Sequence, residues 1–154
     1  MEEKTTTEKL NEILKKTKPD DLDAYFEQNQ QKLAEEQQPF ASYMRARFKE
    51  KKVRQQDIFL AADISEGYGY KLVSEEKRTR QRDVILRICL AARFDLQETQ
   101  KALRLYGMSP LYPKVARDCV FIIAFNQGIS DVHEVDRMLS SYGFEPLYSC
   151  ITTD

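Results

Sequence analysis

Tryptophan is missing from this chain, histidine occurs once, and glycine and proline number five each among 154 residues. So few turn-forming residues argue against a β-sandwich or a disordered chain and favour helices. The lone His133 has no second histidine and no cysteine at ligand spacing, so no metal centre is expected. Cys89, Cys119 and Cys150 show neither paired nor metal-like spacing. The first two lie in the apolar runs VILRICLAA and CVFIIAF and are expected to pack as reduced small hydrophobes. An odd cysteine count without a signal peptide leads to the expectation of a reducing cytoplasm. The longest apolar run, VFIIAF at 120–125, is far too short to cross a bilayer, so no membrane partner is expected.

Catalytic patterns are lacking as well. GYG at 67–69 has neither the lysine nor the strand of a phosphate loop. Cys119 with His133 makes a poor thiol nucleophile, because burial in an apolar run raises a thiol pKa. Glu75–Glu76 and Asp20–Asp21 read as solvated helix ends. The expectation is a protein that is not an enzyme and has no cofactor.

Charge is plentiful and uneven. Residues 40–93 hold 13 Lys and Arg against 7 Asp and Glu, whereas the segments on either side are net acidic. An anionic partner would therefore bind the middle third. Ahead of it, TTTEKLNEILKK sets Leu10, Ile13 and Leu14 on one stripe behind a Thr cap. KPDDLDAYFEQNQQKLAEEQ starts on Pro19 and acids, and reads as a second helix with sparse apolar residues. PFASYMRARFKEKK places Phe40, Tyr43, Met44 and Phe48 at helical spacing, with Arg45, Arg47, Lys49, Lys51 and Lys52 largely elsewhere. Four further helices are expected at 54–62, 65–74, 80–93 and 96–106.

The stretches QQDIFLAADIS (55–65), EGYGYKLVSEEK (66–77) and RDVILRICLAARFDLQET (82–99) together resemble the helix-turn-helix domain of the lambda-repressor and Cro type. The resemblance covers residues 40–106. It implies that Gln55 leads the second helix and contacts a phosphate, that Ile64–Ser65 is the turn, and that 65–74 is the recognition helix. Ser65, Glu66, Tyr70 and Lys71 match positions that face bases in that family. Asp63 stands where the family has its turn glycine, and Glu75 where a glycine usually ends the helix. Gly67 and Gly69 lie inside the recognition helix, which tertiary packing of Tyr68 or Tyr70 is expected to hold. The cations Arg45, Arg47, Lys49, Lys51, Lys52 and Arg54 precede the motif, and Lys77, Arg78, Arg80 and Arg82 follow it. Both runs would grip phosphates beside a groove.

A second pattern lies further on. RDVILRICLAARFDLQETQKALRLYGMSPLY (82–112) and RDCVFIIAFNQGISDVHEVDRMLSSYGFEPLY (117–148) share their Arg-Asp openings, Asp-x-x-Glu caps and YG..PLY endings, with one residue inserted at the loop. An internal duplication of a helical hairpin is expected. Gly107 and Gly143 would stop helices, and Pro110 and Pro146 would prevent their restart. Asp83 and Asp118 would sit near helix amino ends, where the dipole favours them.

The reading is an all-α chain. It comprises an amino-terminal helical extension (1–38), a lambda-repressor-like helix-turn-helix domain (39–112), and a carboxy-terminal hairpin packed on it (113–154). The expected function is a transcription regulator that binds double-stranded DNA through Lys52, Arg54, Gln55, Ser65, Glu66, Tyr70, Lys71, Lys77 and Arg78. It would act as a homodimer, or would hold a protein partner through residues 82–148. The alternative is an adaptor that keeps the helical fold without reading DNA.

Overall fold

The computed structural model describes residues 5–147; Tyr148 and Cys150 of the sequence reading lie outside them. Among the described residues there are ten α-helices and no strand. The chain forms two compact units, Met1–Gln37 and Gln38–Asp154.

In the amino-terminal unit, α1 (Thr6–Lys16) starts on a capping box. Thr5 Oγ1 accepts from the Glu8 N–H at 3.1 Å, and the Glu8 carboxylate accepts from the Thr5 N–H at 3.0 Å. Two orphan amides of the first turn are thereby satisfied. A short 3-10 turn at Pro19–Asp21 leads into α2 (Leu22–Gln28) and α3 (Gln30–Glu36). The single helix expected here is broken at Asn29. Its side-chain amide donates to the Tyr25 carbonyl at 3.0 Å, alongside its own backbone N–H at 3.1 Å. Such local bonding competes with the helical ladder and bends the chain.

The carboxy-terminal unit contains α4 (Phe40–Glu50), α5 (Gln55–Ala62), α6 (Glu66–Val73), α7 (Arg82–Ala91), α8 (Leu96–Tyr106), α9 (Ala116–Asn126) and α10 (Val132–Ser141). Helix α7 is its axis. Every residue from Val84 to Ala91 is buried, as expected of a helix apolar on nearly all sides. It packs against α5, α8 and α10, while α4 packs on α6 and α8, and α9 on α8 and α10. Phe40, Tyr43, Met44 and Phe48 of α4 all enter the core, which leaves Arg45 and Lys49 exposed. The Tyr43 phenol donates to the Glu98 carbonyl at 3.0 Å. Burial raises its pKa well above the ordinary phenol value, and the neighbouring Glu98 adds to the shift.

The segments 82–112 and 117–147 make matching bonds at matching positions. Phe94 N–H donates to Cys89 O at 3.0 Å and Ile129 N–H to Ala124 O at 2.9 Å, over the left-handed Arg93 (φ +63°) and Gly128 (φ +72°). Met108 and Phe144 close the following helices in the same manner, over Gly107 and Gly143. Leu111 N–H donates to the Gln100 side chain at 2.7 Å, and Leu147 N–H to Asp136 at 2.5 Å.

The two Arg-Asp openings pair crosswise. Arg117 forks onto Asp83 at 2.9 and 2.7 Å, and Arg82 forks onto Asp118. Asp118, only 2% exposed, also accepts from the Tyr112 N–H at 2.9 Å. The amino ends of α7 and α9 thus come together with a carboxylate on each, which favours its dipole end, and a guanidinium that is neutralised by the opposite carboxylate. The hydrogen bonds that Arg117 donates to Asp83 are the main cause of its raised pKa.

One prediction arises from the left-handed positions. Arg93 is exposed and adopts the conformation that glycine adopts at 128. Arg93→Gly is expected to stabilise the chain by about 0.5–1 kcal/mol, because relief of the left-handed clash outweighs the added unfolded-state entropy. Urea denaturation checks this, and a lower midpoint would contradict it.

Candidate nucleic-acid interface

Two short helices and the corner between them form the candidate surface. Helix α5 begins at Gln55 behind Arg54, whose guanidinium pairs with Asp57 at 3.0 Å. Ile58, Phe59 and Ala62 face inward. The corner is a left-handed Asp63 (φ +56°), then Ile64, 5% exposed, then Ser65 at the start of α6. Aspartate tolerates this conformation better than most side chains, and here it occupies the position where the resemblance has glycine. Ile64 N–H donates back to Phe59 O at 2.9 Å and closes α5. Glu75 likewise takes positive φ (+63°) just after α6.

Beneath the corner lies a buried arginine. Arg87, 1% exposed, donates through Nε to the Ala62 carbonyl at 2.9 Å and through Nη2 to the Asp63 carbonyl at 3.0 Å. Nη1 lies 3.4 Å from the Leu147 carbonyl. A cation at a helix carboxyl end meets the negative pole of the dipole, and its donors saturate carbonyls that have no helical partner. Thus α7, through one side chain, holds the α5–α6 corner.

The two glycines of α6 have unlike reasons. A Cβ on Gly69 would stand 2.5 Å from the Phe59 ring, so α6 can lie against α5 only because no side chain is there. A Cβ on Gly67 would meet nothing within 4 Å. Tyr68, Leu72 and Val73 are buried, and Tyr70 sets its edge against Phe59 at 5.1 Å between centroids. Packing holds this helix despite its low propensity, as the sequence suggested, with Phe59 as the second partner.

The outward half of α6 presents Glu66, Gly67, Tyr70 and Ser74, with Ser65 exposed at its start and Lys71 half-buried. Tyr70 keeps 41% of its surface. Gln55 is half-buried; Lys52 and Arg54 are exposed at the α4–α5 junction. Past α6, the Lys77 N–H donates to the Lys71 carbonyl at 3.1 Å, which returns the chain to the helix end.

Several cations of the two basic runs are engaged internally. Arg82 belongs to the Asp118 pair and so is a brace, not a phosphate grip. Lys51 pairs with Glu98 at 2.7 Å, and Arg47 with Glu50 at 2.5 Å. Arg78 pairs with Glu75 at 2.7 Å, donates to the Tyr106 carbonyl at 2.5 Å, and lies over the Tyr106 ring at 4.1 Å. Arg45, Lys49, Lys52 and Arg80 are exposed. The acids Glu66 and Glu76 are exposed as well.

Among the described residues no cluster of three or more metal-binding side chains occurs, and no helix is long and apolar enough to cross a membrane. Cys89 is fully buried and its thiol pKa is pushed up by that burial. Cys119 is only partly covered, contrary to the sequence expectation, and its thiol lies 3.2 Å from the Pro113 carbonyl.

Sequence reasoning missed two surface features and one internal one. Leu60 is 80% exposed on α5, although it lies within an unbroken apolar run that reads as core. Gly67 is bare on the outer face. The role of Arg87 had a signal: the one charge inside the apolar stretch Val84–Ala91 must find acceptors.

Comparison with models of protein families, with curated proteins and with solved structures finds no match to this chain.

Proposed function

We propose that the chain is a non-enzymatic, lambda-repressor-like helix-turn-helix regulator that reads double-stranded DNA with α6. In this reading 82–148 is a duplicated hairpin that completes the domain. The carrying observation is α6 itself. It is anchored by Gly69 against Phe59, held at its corner by Arg87, and turns Ser65, Glu66, Tyr70 and Ser74 outward. Lys52, Arg54 and Gln55 would position phosphates on one side and Lys77, Arg78 and Arg80 on the other. Tyr70 and Lys71 would reach base edges, and Glu66 would accept from a cytosine amino group.

The test is fluorescence anisotropy with genomic fragments across a salt series. Lys52→Glu, Arg54→Glu and Lys77→Glu together are expected to weaken binding by on the order of 100-fold at low salt. They should also flatten the slope of log K against log salt by about 3. Arg78 is left intact because it braces Tyr106. Absence of binding at low salt, or an unchanged salt slope, would end this reading.

The second reading is a protein-interaction adaptor. It is favoured by the internal pairing of Arg54 and Arg78 and by exposed Glu66 at the start of α6. It expects the triple charge reversal to leave partner binding intact.

A further inference from the structure

An open cleft of about 500 Å³ lies between the chain that leaves α6 and the end of α8. Arg78, Thr79 and Arg80 line it from the first segment, and Tyr106, Gly107 and Met108 from the second, so the lining holds two cations and no acid. Arg78 is fixed in place. It pairs with Glu75 at 2.7 Å, donates to the Tyr106 carbonyl, and lies over the Tyr106 ring at 4.1 Å. A guanidinium carries five N–H donors, so these bonds leave others unused on an immobilised group. Arg80 is exposed and pairs with no carboxylate among the described residues. Thr79 is pinned through its N–H, which donates to the Tyr106 hydroxyl at 2.8 Å. Its Oγ1 accepts from the Gln81 N–H at 3.0 Å and keeps its own proton to donate. A Cβ on Gly107 would stand 3.9 Å from Arg78 Nη2, so the missing side chain leaves open space beside that donor.

Closing the hairpin does not call for these arginines. With the Arg-Asp openings aligned, Arg78 and Arg80 fall opposite Pro113 and Val115. Helix α10 nevertheless closes over Gly143 with a bond from Phe144 to Leu139, the counterpart of the one from Met108 to Leu103 over Gly107.

We propose that this cleft binds the phosphate group of a small organic phosphate ester. Phosphate oxygens accept from two guanidinium groups and a hydroxyl, and charge-assisted bonds of this kind are the strong ones. Arg78 is already held, so little side-chain freedom is lost on binding. The Glu75 carboxylate, which would repel a phosphate, is taken up by Arg78. The cleft is within the size of small-molecule sites, roughly 300–1,000 Å³, and holds more than a bare phosphate ion; half-buried Met108 offers an apolar wall to the organic part. Arg78 and Arg80 also position backbone phosphates in the DNA reading. On that reading an ester in the cleft displaces the duplex, whereas the cleft itself does not depend on it.

The experiment is an amide NMR titration of the isotope-labelled full chain with adenosine monophosphate, adenosine and inorganic phosphate, and with a short DNA duplex in a separate arm. The monophosphate is expected to move the amides of Thr79, Arg80, Gly107 and Met108. Inorganic phosphate should move them at higher concentration, and adenosine not at all. Arg80→Gln, at an exposed position, is expected to weaken the monophosphate about tenfold. Arg80→Lys should weaken it less, because lysine keeps the charge without the fork. Cleft amides that respond to neither phosphate, adenosine that binds as well as its monophosphate, or Arg80→Gln that binds unchanged overturns the proposal. So does a duplex that moves these amides when the monophosphate does not, since the cleft would then seat backbone phosphate only. A chain that binds the monophosphate and no duplex upholds the cleft and sinks the DNA reading alone.

Discussion

Gly69→Ala is expected to destabilise the chain by about 3 kcal/mol, while Gly67→Ala, two residues earlier in the same helix, stabilises it by a few tenths to about 1 kcal/mol. The signs differ because the neighbours differ. At Gly69 a methyl group would enter the Phe59 ring at 2.5 Å, and that ring is itself fully buried, with Tyr70 packed against it at 5.1 Å between centroids. It has no room to yield, so α6 must lift from α5. At Gly67 the methyl group meets nothing, and only the helix propensity of alanine is felt. Thermal unfolding checks both, with a midpoint lowered by roughly 10 °C for the first and raised by a few degrees for the second. If Gly69→Ala melts with the parent chain, the close approach of α6 to α5 is wrong, and so is the surface built on it. The pair also separates stability from recognition. Gly67→Ala leaves the fold intact, so any loss of DNA affinity it causes belongs to the outer face of α6.

Arg87→Met is expected to cost about 3 kcal/mol or more. Methionine fills much of the same volume, but the buried Ala62 carbonyl and the part-buried Asp63 carbonyl lose charged donors, at about 1–3 kcal/mol for each group left unsatisfied. Lysine at this position keeps the charge without the planar fork that reaches several carbonyls at once, so Arg87→Lys should fall between methionine and the parent. The damage should be local before it is global. Amide exchange is expected to accelerate first across residues 62–66, where the corner loses its support. A methionine variant within 1 kcal/mol of the parent would show that the guanidinium is not what holds the corner.

The helices of the middle segment were legible because their local signals agree. Apolar periodicity, the acid–Glu cap at Asp95 and Glu98, and glycine at 107 all point to α8 and its ends. The sequence places α5, α6 and α8 within a residue of where they lie, whereas the helix expected at 80–93 spans Arg82–Ala91, preceded by an extended Gln81 and followed by a left-handed Arg93. The amino-terminal segment was harder. KPDDLDAYFEQNQQKLAEEQ has no breaker of the glycine or proline kind after Pro19, and the interruption at Asn29 arises from a side-chain amide that a pattern cannot see.

The candidate site was legible as a list of residues and not as an electrostatic surface. Ten cations in two runs look alike in sequence. Tertiary contacts divide them: Arg82, Arg47 and Lys51 hold carboxylates contributed by distant positions, Asp118 and Glu98. Arg78 spans both roles, since it is half-exposed and still bonded to the end of α8.

Helix placement in the middle segment, the doubled Tyr-Gly-x-x-Pro-Leu endings and the basic middle third could be read directly from the residues, because local pattern and composition carry them. Which arginine is a brace, why residue 69 is glycine, and why α7 is covered on nearly all sides emerge from contacts made in the folded chain. Those contacts join residues ten or more positions apart, and neither periodicity nor charge count says which of them will meet.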